Sequence, residues 1–123
     1  MRSVMRMAWV AGAIVLAACG PAGPARGPVY LDSTEVLVRE SLPVQAALVV
    51  RGSLPTPCHV LRVEVAPPDN QNRILVDIYS TTDPEQVCIQ VLEPFEETVE
   101  LGQFSDGTYS VWVNGEPVGE IEL

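Results

Sequence analysis

From Val29 onward, apolar residues recur at every second position, in short runs that proline and glycine interrupt. A period of two is the spacing of a strand with one face buried, because successive side chains leave the backbone on opposite sides. No stretch of ten residues carries the 3.6-residue stripe of a helix. The alternation predicts strands over Thr34–Glu40, Val44–Arg51, Cys58–Val65, Ile74–Tyr79, Val87–Val91, Glu97–Leu101, Tyr109–Val113 and Val118–Leu123. Val44–Arg51 is nearly all apolar and reads as an internal strand. Between the runs stand turn-formers: Pro43, Gly52–Pro57, Pro67–Asn72, Thr81–Glu85, Pro94 and Asp106-Gly107. Asn114-Gly115 is a strong hairpin signal, since both positions tolerate the positive φ of a type I′ turn. Seven or eight short antiparallel strands with no helix read as a β-sandwich, with a small β-barrel as the alternative.

The first eighteen residues follow a different rule. Arg2 and Arg6 precede an almost unbroken apolar run, Met7–Ala17, which is too short to cross a bilayer, where roughly 17–25 residues are needed. This is the layout of an export signal. Its ending, Leu16-Ala17-Ala18-Cys19, resembles the lipobox of bacterial lipoproteins. The resemblance implies cleavage before Cys19, acyl lipid such as palmitate on that cysteine, and an extracytoplasmic domain anchored to a bacterial cell membrane. Several acyl chains hold a protein firmly where one holds it weakly. Gly20–Pro28 alternates glycine and proline and is expected to form neither helix nor strand. The chain therefore divides into a signal (1–18), a tether (19–28) and one β domain (29–123).

Beyond residue 18 the chain has five arginines, no lysine and sixteen acidic residues, a net charge of −11 with His59 neutral. Such a surface repels phosphate backbones, which excludes nucleic acid as a natural partner, and it offers no polybasic patch to anionic lipid. The closing stretch, Gly107-Thr-Tyr-Ser-Val-Trp-Val-Asn-Gly115, resembles the last strands of bacterial immunoglobulin-like modules. That resemblance implies an immunoglobulin-like sandwich. The antibody hallmarks are missing, for Trp112 follows both domain cysteines and no tyrosine stands two residues before Cys88.

Few side chains in the domain carry chemistry. Cys58 and Cys88 are the only cysteines besides Cys19, and two cysteines in an exported domain are expected to pair. A thioredoxin-type role needs Cys-x-x-Cys, which is absent. A cupredoxin-like copper site wants two histidines, a cysteine and usually a methionine, and past the signal the chain has only His59 and no methionine. Nucleophilic catalysis would have to recruit the same histidine. Adjacent strand residues face opposite sides, so His59 does not serve Cys58, and no enzyme or cofactor is expected. Asp69–Asn72 and Asp83–Glu85 offer oxygen donors for calcium, without EF-hand spacing. Trp112 shares the more polar row of its strand with Ser110 and Asn114, opposite Tyr109, Val111 and Val113. With Tyr79 it is the candidate docking platform. The expected function is that of a lipid-anchored accessory domain working by protein–protein contact in the cell envelope. The alternative is a small-ligand module for carbohydrate or calcium.

Overall fold

The most apolar run becomes the middle of a sheet. In the computed structural model, which describes residues 23–123, eight strands form: β1 (Ala25–Gly27), β2 (Tyr30–Arg39), β3 (Val44–Leu54), β4 (Val60–Val65), β5 (Arg73–Thr82), β6 (Glu93–Phe104), β7 (Thr108–Val113) and β8 (Glu116–Glu122). The expected export signal, Cys19 and the start of the tether lie outside the described residues. β3 sits between β2 and β6 in a three-stranded antiparallel sheet. Ala46, Ala47, Leu48, Val49 and Val50 are all buried there, so β3 is covered on both faces, as a central strand should be. The larger sheet runs β1-β5-β7-β8, with β4 on the other side of β5.

The two sheets meet through their inner rows. Leu48, Val50, Val99, Leu101 and Phe104 of the smaller sheet face Ile74, Val76, Ile78, Val111, Val113 and Ile121 of the larger. The rows come from alternate positions of their strands, the period-two pattern made physical, except in β6, where the register shift opposite Ala46 and Ala47 resets the alternation before Phe104. Two close approaches need glycine. A Cβ on Gly52 would run into the Tyr30 carbonyl oxygen, beside the bulge that β2 makes between Leu31 and Ser33. One on Gly119 would press on the Val36 side chain, where β8 passes β2. Among the described residues the sheets remain two separate ladders, so no barrel closes.

Several expected boundaries are corrected. The predicted strand Val87–Val91 does not form. β5 ends in the larger sheet and β6 begins in the smaller, so residues 83–92 are used in crossing between layers. Sheets pack about 10 Å apart, and a chain crossing that gap keeps register with neither. Pro94 does not interrupt β6, because β6 is an edge strand, the position in a sheet where proline is tolerated. Gly52-Ser53-Leu54, expected as turn, continues β3 opposite Phe95, Pro94 and Glu93. Cys58 and His59 precede β4 instead of opening it. β5 and β7 run parallel, so the sandwich is not wholly antiparallel. The end of the tether is also strand: Ala25–Gly27 pairs with Thr82–Ser80 of β5.

Candidate functional site

β5 is flanked on one side by β4 and on the other by β7 and β1, and its outward row is Arg73, Leu75, Asp77, Tyr79 and Thr81. The alternation that buries Ile74, Val76 and Ile78 turns these five toward solvent. Parallel register sets Leu75 beside Trp112 of β7. Both sequence-predicted aromatic candidates, Tyr79 and Trp112, therefore stand on one face of one sheet. They are held by different partners.

Trp112 is half-buried between the buried Val111 and Val113, its ring on the outer face. Its indole N–H donates to Ser110 Oγ at 3.0 Å, and the Arg73 guanidinium lies 5.9 Å from the ring centroid. Arg73 is itself fixed by Asp69, whose Oδ2 accepts its Nε–H at 2.8 Å. The indole's polar atom is thus satisfied, and Trp112 lends ring surface to the groove on the side away from Arg73. Beside it Leu75 is 40% exposed. Where β4 and β7 diverge across β5, a groove of about 420 Å³ opens over Leu75, walled by Trp112 and Val65, with Glu64 and Asp77 on its rim. At its end Asn114, with φ of 51°, closes the hairpin. The Asn114 side chain accepts the Ile78 N–H at 2.8 Å and donates to the Ile78 carbonyl at 3.0 Å. It acts as a substitute ladder rung on the edge of β5, in the gap between the stretches that β7 and β1 pair, which makes this end of the groove rigid.

Tyr79 belongs to a polar cluster further along β5. Its hydroxyl donates to Glu64 Oε1 at 2.9 Å, and the Arg26 guanidinium stacks over its ring at 3.8 Å from the centroid. Arg26 also donates to both Asp77 oxygens, at 2.9 and 2.8 Å. The bond to Glu64 raises the Tyr79 phenol above its usual value, and the Asp77 bond does the same for Arg26. Tyr79 is therefore engaged in holding β1 to the sheet. Sequence reasoning missed Arg26 because it lay in an apparent tether. A lone arginine among glycines and prolines, facing a domain rich in acids, was the available signal.

The remaining candidates resolve as structure. Cys58 and Cys88 form a disulfide joining the β3–β4 connection to the β5–β6 crossing, so neither sulfur remains for a metal or a nucleophile. His59 is half-buried; its Nδ1 lies 2.7 Å from Thr56 Oγ1 and its ring stands over Gly27. The acidic loops are Asx turns: Asp69 Oδ1 accepts the N–H groups of Gln71 and Arg73, and Asp83 Oδ1 that of Glu85, each at 2.9 Å. Among the described residues no three of His, Cys, Asp and Glu gather as metal ligands.

A family model described as the ORF11 beta-sandwich domain matches residues 48–123, which takes in most of β3, all of β4 to β8 and the groove. A curated relative, described as an uncharacterized 10.2 kDa protein in the HgiCIIM 5′ region of Herpetosiphon aurantiacus, is 25% identical over 87 residues, covering 70% of this chain and 92% of the relative. No solved structure matches the chain.

Proposed function

The chain belongs to the ORF11 β-sandwich domain family, and from that fold and the face it presents we propose a lipid-anchored, extracytoplasmic accessory module that binds another envelope protein. The anchor and the location rest on the Leu16-Ala17-Ala18-Cys19 ending and the short apolar run before it. The observation that carries the binding role is the groove at Trp112. A rigid aromatic wall, an exposed leucine floor and a polar rim are the make-up of an interface centre, where tryptophan often supplies the largest share of binding energy. The neighbouring polar groups are already paired with one another, Tyr79 with Glu64 and Arg26 with Asp77. A sugar or ion would need converging unpaired donors and acceptors, so apolar protein contact fits the groove better than a small polar ligand. The description as immunoglobulin-like is supported by the two packed sheets and the closing β7–β8 hairpin.

Site-specific photo-crosslinking in intact envelopes tests the role. A benzoylphenylalanine probe at Leu75 should give a discrete protein adduct, and the same probe at Leu37, on the outer face of the smaller sheet, should not. Trp112→Ala should abolish the Leu75 adduct while costing about 1–2 kcal/mol of stability, a fraction of the 3–5 typical of a fully buried tryptophan. Equal labelling from both faces, or an adduct that survives Trp112→Ala, overturns the assignment.

A further inference from the structure

The crossing between the sheets leaves four apolar side chains in water. Val87 is 97% exposed, Ile89 68%, Val91 50% and Leu92 60%, and no charged residue interrupts Val87–Leu92. The segment is not a loose loop. Asp83 and Glu85 close a turn ahead of it, the Gln86 N–H donates to the Asp83 carbonyl at 3.1 Å, and the disulfide fixes Cys88 to Cys58. An apolar segment pinned in an exposed position is the mark of a docking surface.

Its place in the fold says what covers it. Ala25 pairs with Thr82, and Pro24, Cys58, Thr82, Asp83 and Gln86 line one small cavity of about 180 Å³. The incoming chain and the apolar segment thus share one end of the sandwich. Arg26, bonded to Asp77 and stacked on Tyr79, clips the incoming chain there. Five residues lie between Cys19 and Ala25, and the six steps reach at most about 22 Å. Whatever holds Cys19 therefore lies within that distance of Ala25, the strand partner of Thr82.

We propose that Val87–Leu92 seats the domain on the bilayer that carries its anchor, with these side chains entering the boundary between headgroups and acyl chains. This rests on the lipid-anchor reading above. Cys19 supplies the membrane, and a second weak apolar contact on a short tether gains from the high effective concentration the first one creates. With no basic residue in the segment and Glu85 and Glu93 flanking it, the contact is apolar and suits zwitterionic headgroups. The geometry also orients the molecule. Leu75 lies seven residues along β5 from Thr82, roughly 23 Å at the usual strand rise, so the Trp112 groove is held away from the membrane.

The test uses the full chain, expressed in a bacterial host, extracted from membranes and reconstituted in phosphatidylcholine vesicles with or without brominated acyl chains. In a Trp112→Phe background, Ile89→Trp and Val87→Trp report on the segment and Leu37→Trp on a distant face. Intact mass reads the lipid on Cys19. Brominated lipid should quench the fluorescence of both segment variants at least twofold and leave Leu37→Trp unchanged. Lipid present with no quenching at 87 or 89 overturns the membrane seat and leaves the segment to a protein partner. A protein without lipid overturns the anchor and this proposal with it.

Discussion

A single carboxylate shows how much of the domain's order comes from loops. Asp69 accepts the N–H of Arg73, that of Gln71, and the Arg73 Nε–H. The Arg73 amide is foremost among the causes that hold its carboxyl below the ordinary range, against the opposing pull of partial burial. A depressed folded value means the charged form is favoured by folding. The stabilisation is thus present above the ordinary carboxylate range and lost as pH falls through the depressed value. NMR titration of the Asp69 side chain should place its midpoint below that of an unstructured aspartate. The stability difference between wild type and Asp69→Asn should be largest near neutrality and vanish on acidification. A difference that does not change with pH would remove the charge from the account. The consequence reaches the groove, because Arg73, the residue Asp69 holds, borders Trp112.

At the scale of elements, what the sequence made legible was what local alternation encodes. β3, β5 and β7 stand where Val44–Arg51, Ile74–Tyr79 and Tyr109–Val113 predict them, and Trp112 lies on the outer row that its spacing assigns. What escaped was pairing. Val87–Val91 alternates as a strand does, yet it lies between two sheets and has no partner. Ala25–Gly27 has no strand propensity and pairs because β5 leaves an edge for it beyond β7. The groove was illegible for the same reason, since Leu75 meets Trp112 only through a parallel register. The crossing is where an element-scale prediction bites. The disulfide closes a loop with a sequence separation of 30, which on the chain-entropy account contributes about 3–4 kcal/mol. Replacing Cys58 and Cys88 together by alanine should lower the denaturant midpoint accordingly, leave the circular dichroism of the strands intact, and open residues 83–92 to proteolysis. Unchanged cleavage there would mean the Asp83 turn alone holds the segment.

Across the whole molecule the balance of charge is lopsided. Four of the five arginines beyond residue 18 are paired, Arg26 with Asp77, Arg39 with Glu100, Arg51 with Glu96 and Arg73 with Asp69. Sixteen acidic residues therefore leave twelve outside these ion pairs. The Arg39–Glu100 and Arg51–Glu96 pairs cross the outer face of the smaller sheet, over the strand whose Ala47 and Val49 are buried. Those side chains are about half exposed, so the charge attraction is worth little and their aliphatic stems matter more as cover. Self-repulsion among the other carboxylates is then the larger electrostatic effect, and added salt screens it. Thermal unfolding at neutral pH should shift upward as sodium chloride rises from about 10 mM to 0.15 M, over which the Debye length falls from about 30 to 8 Å. A downward shift would mean that the four ion pairs outweigh the repulsion. Arg39→Gln and Arg51→Gln separate the two contributions, since each keeps most of the stem while removing the charge. Stability at 1 M salt, where charge is screened, should be nearly that of the wild type for both. At low salt each variant should be the less stable, because it deepens the excess of negative charge over a sheet that has no lysine to offset it.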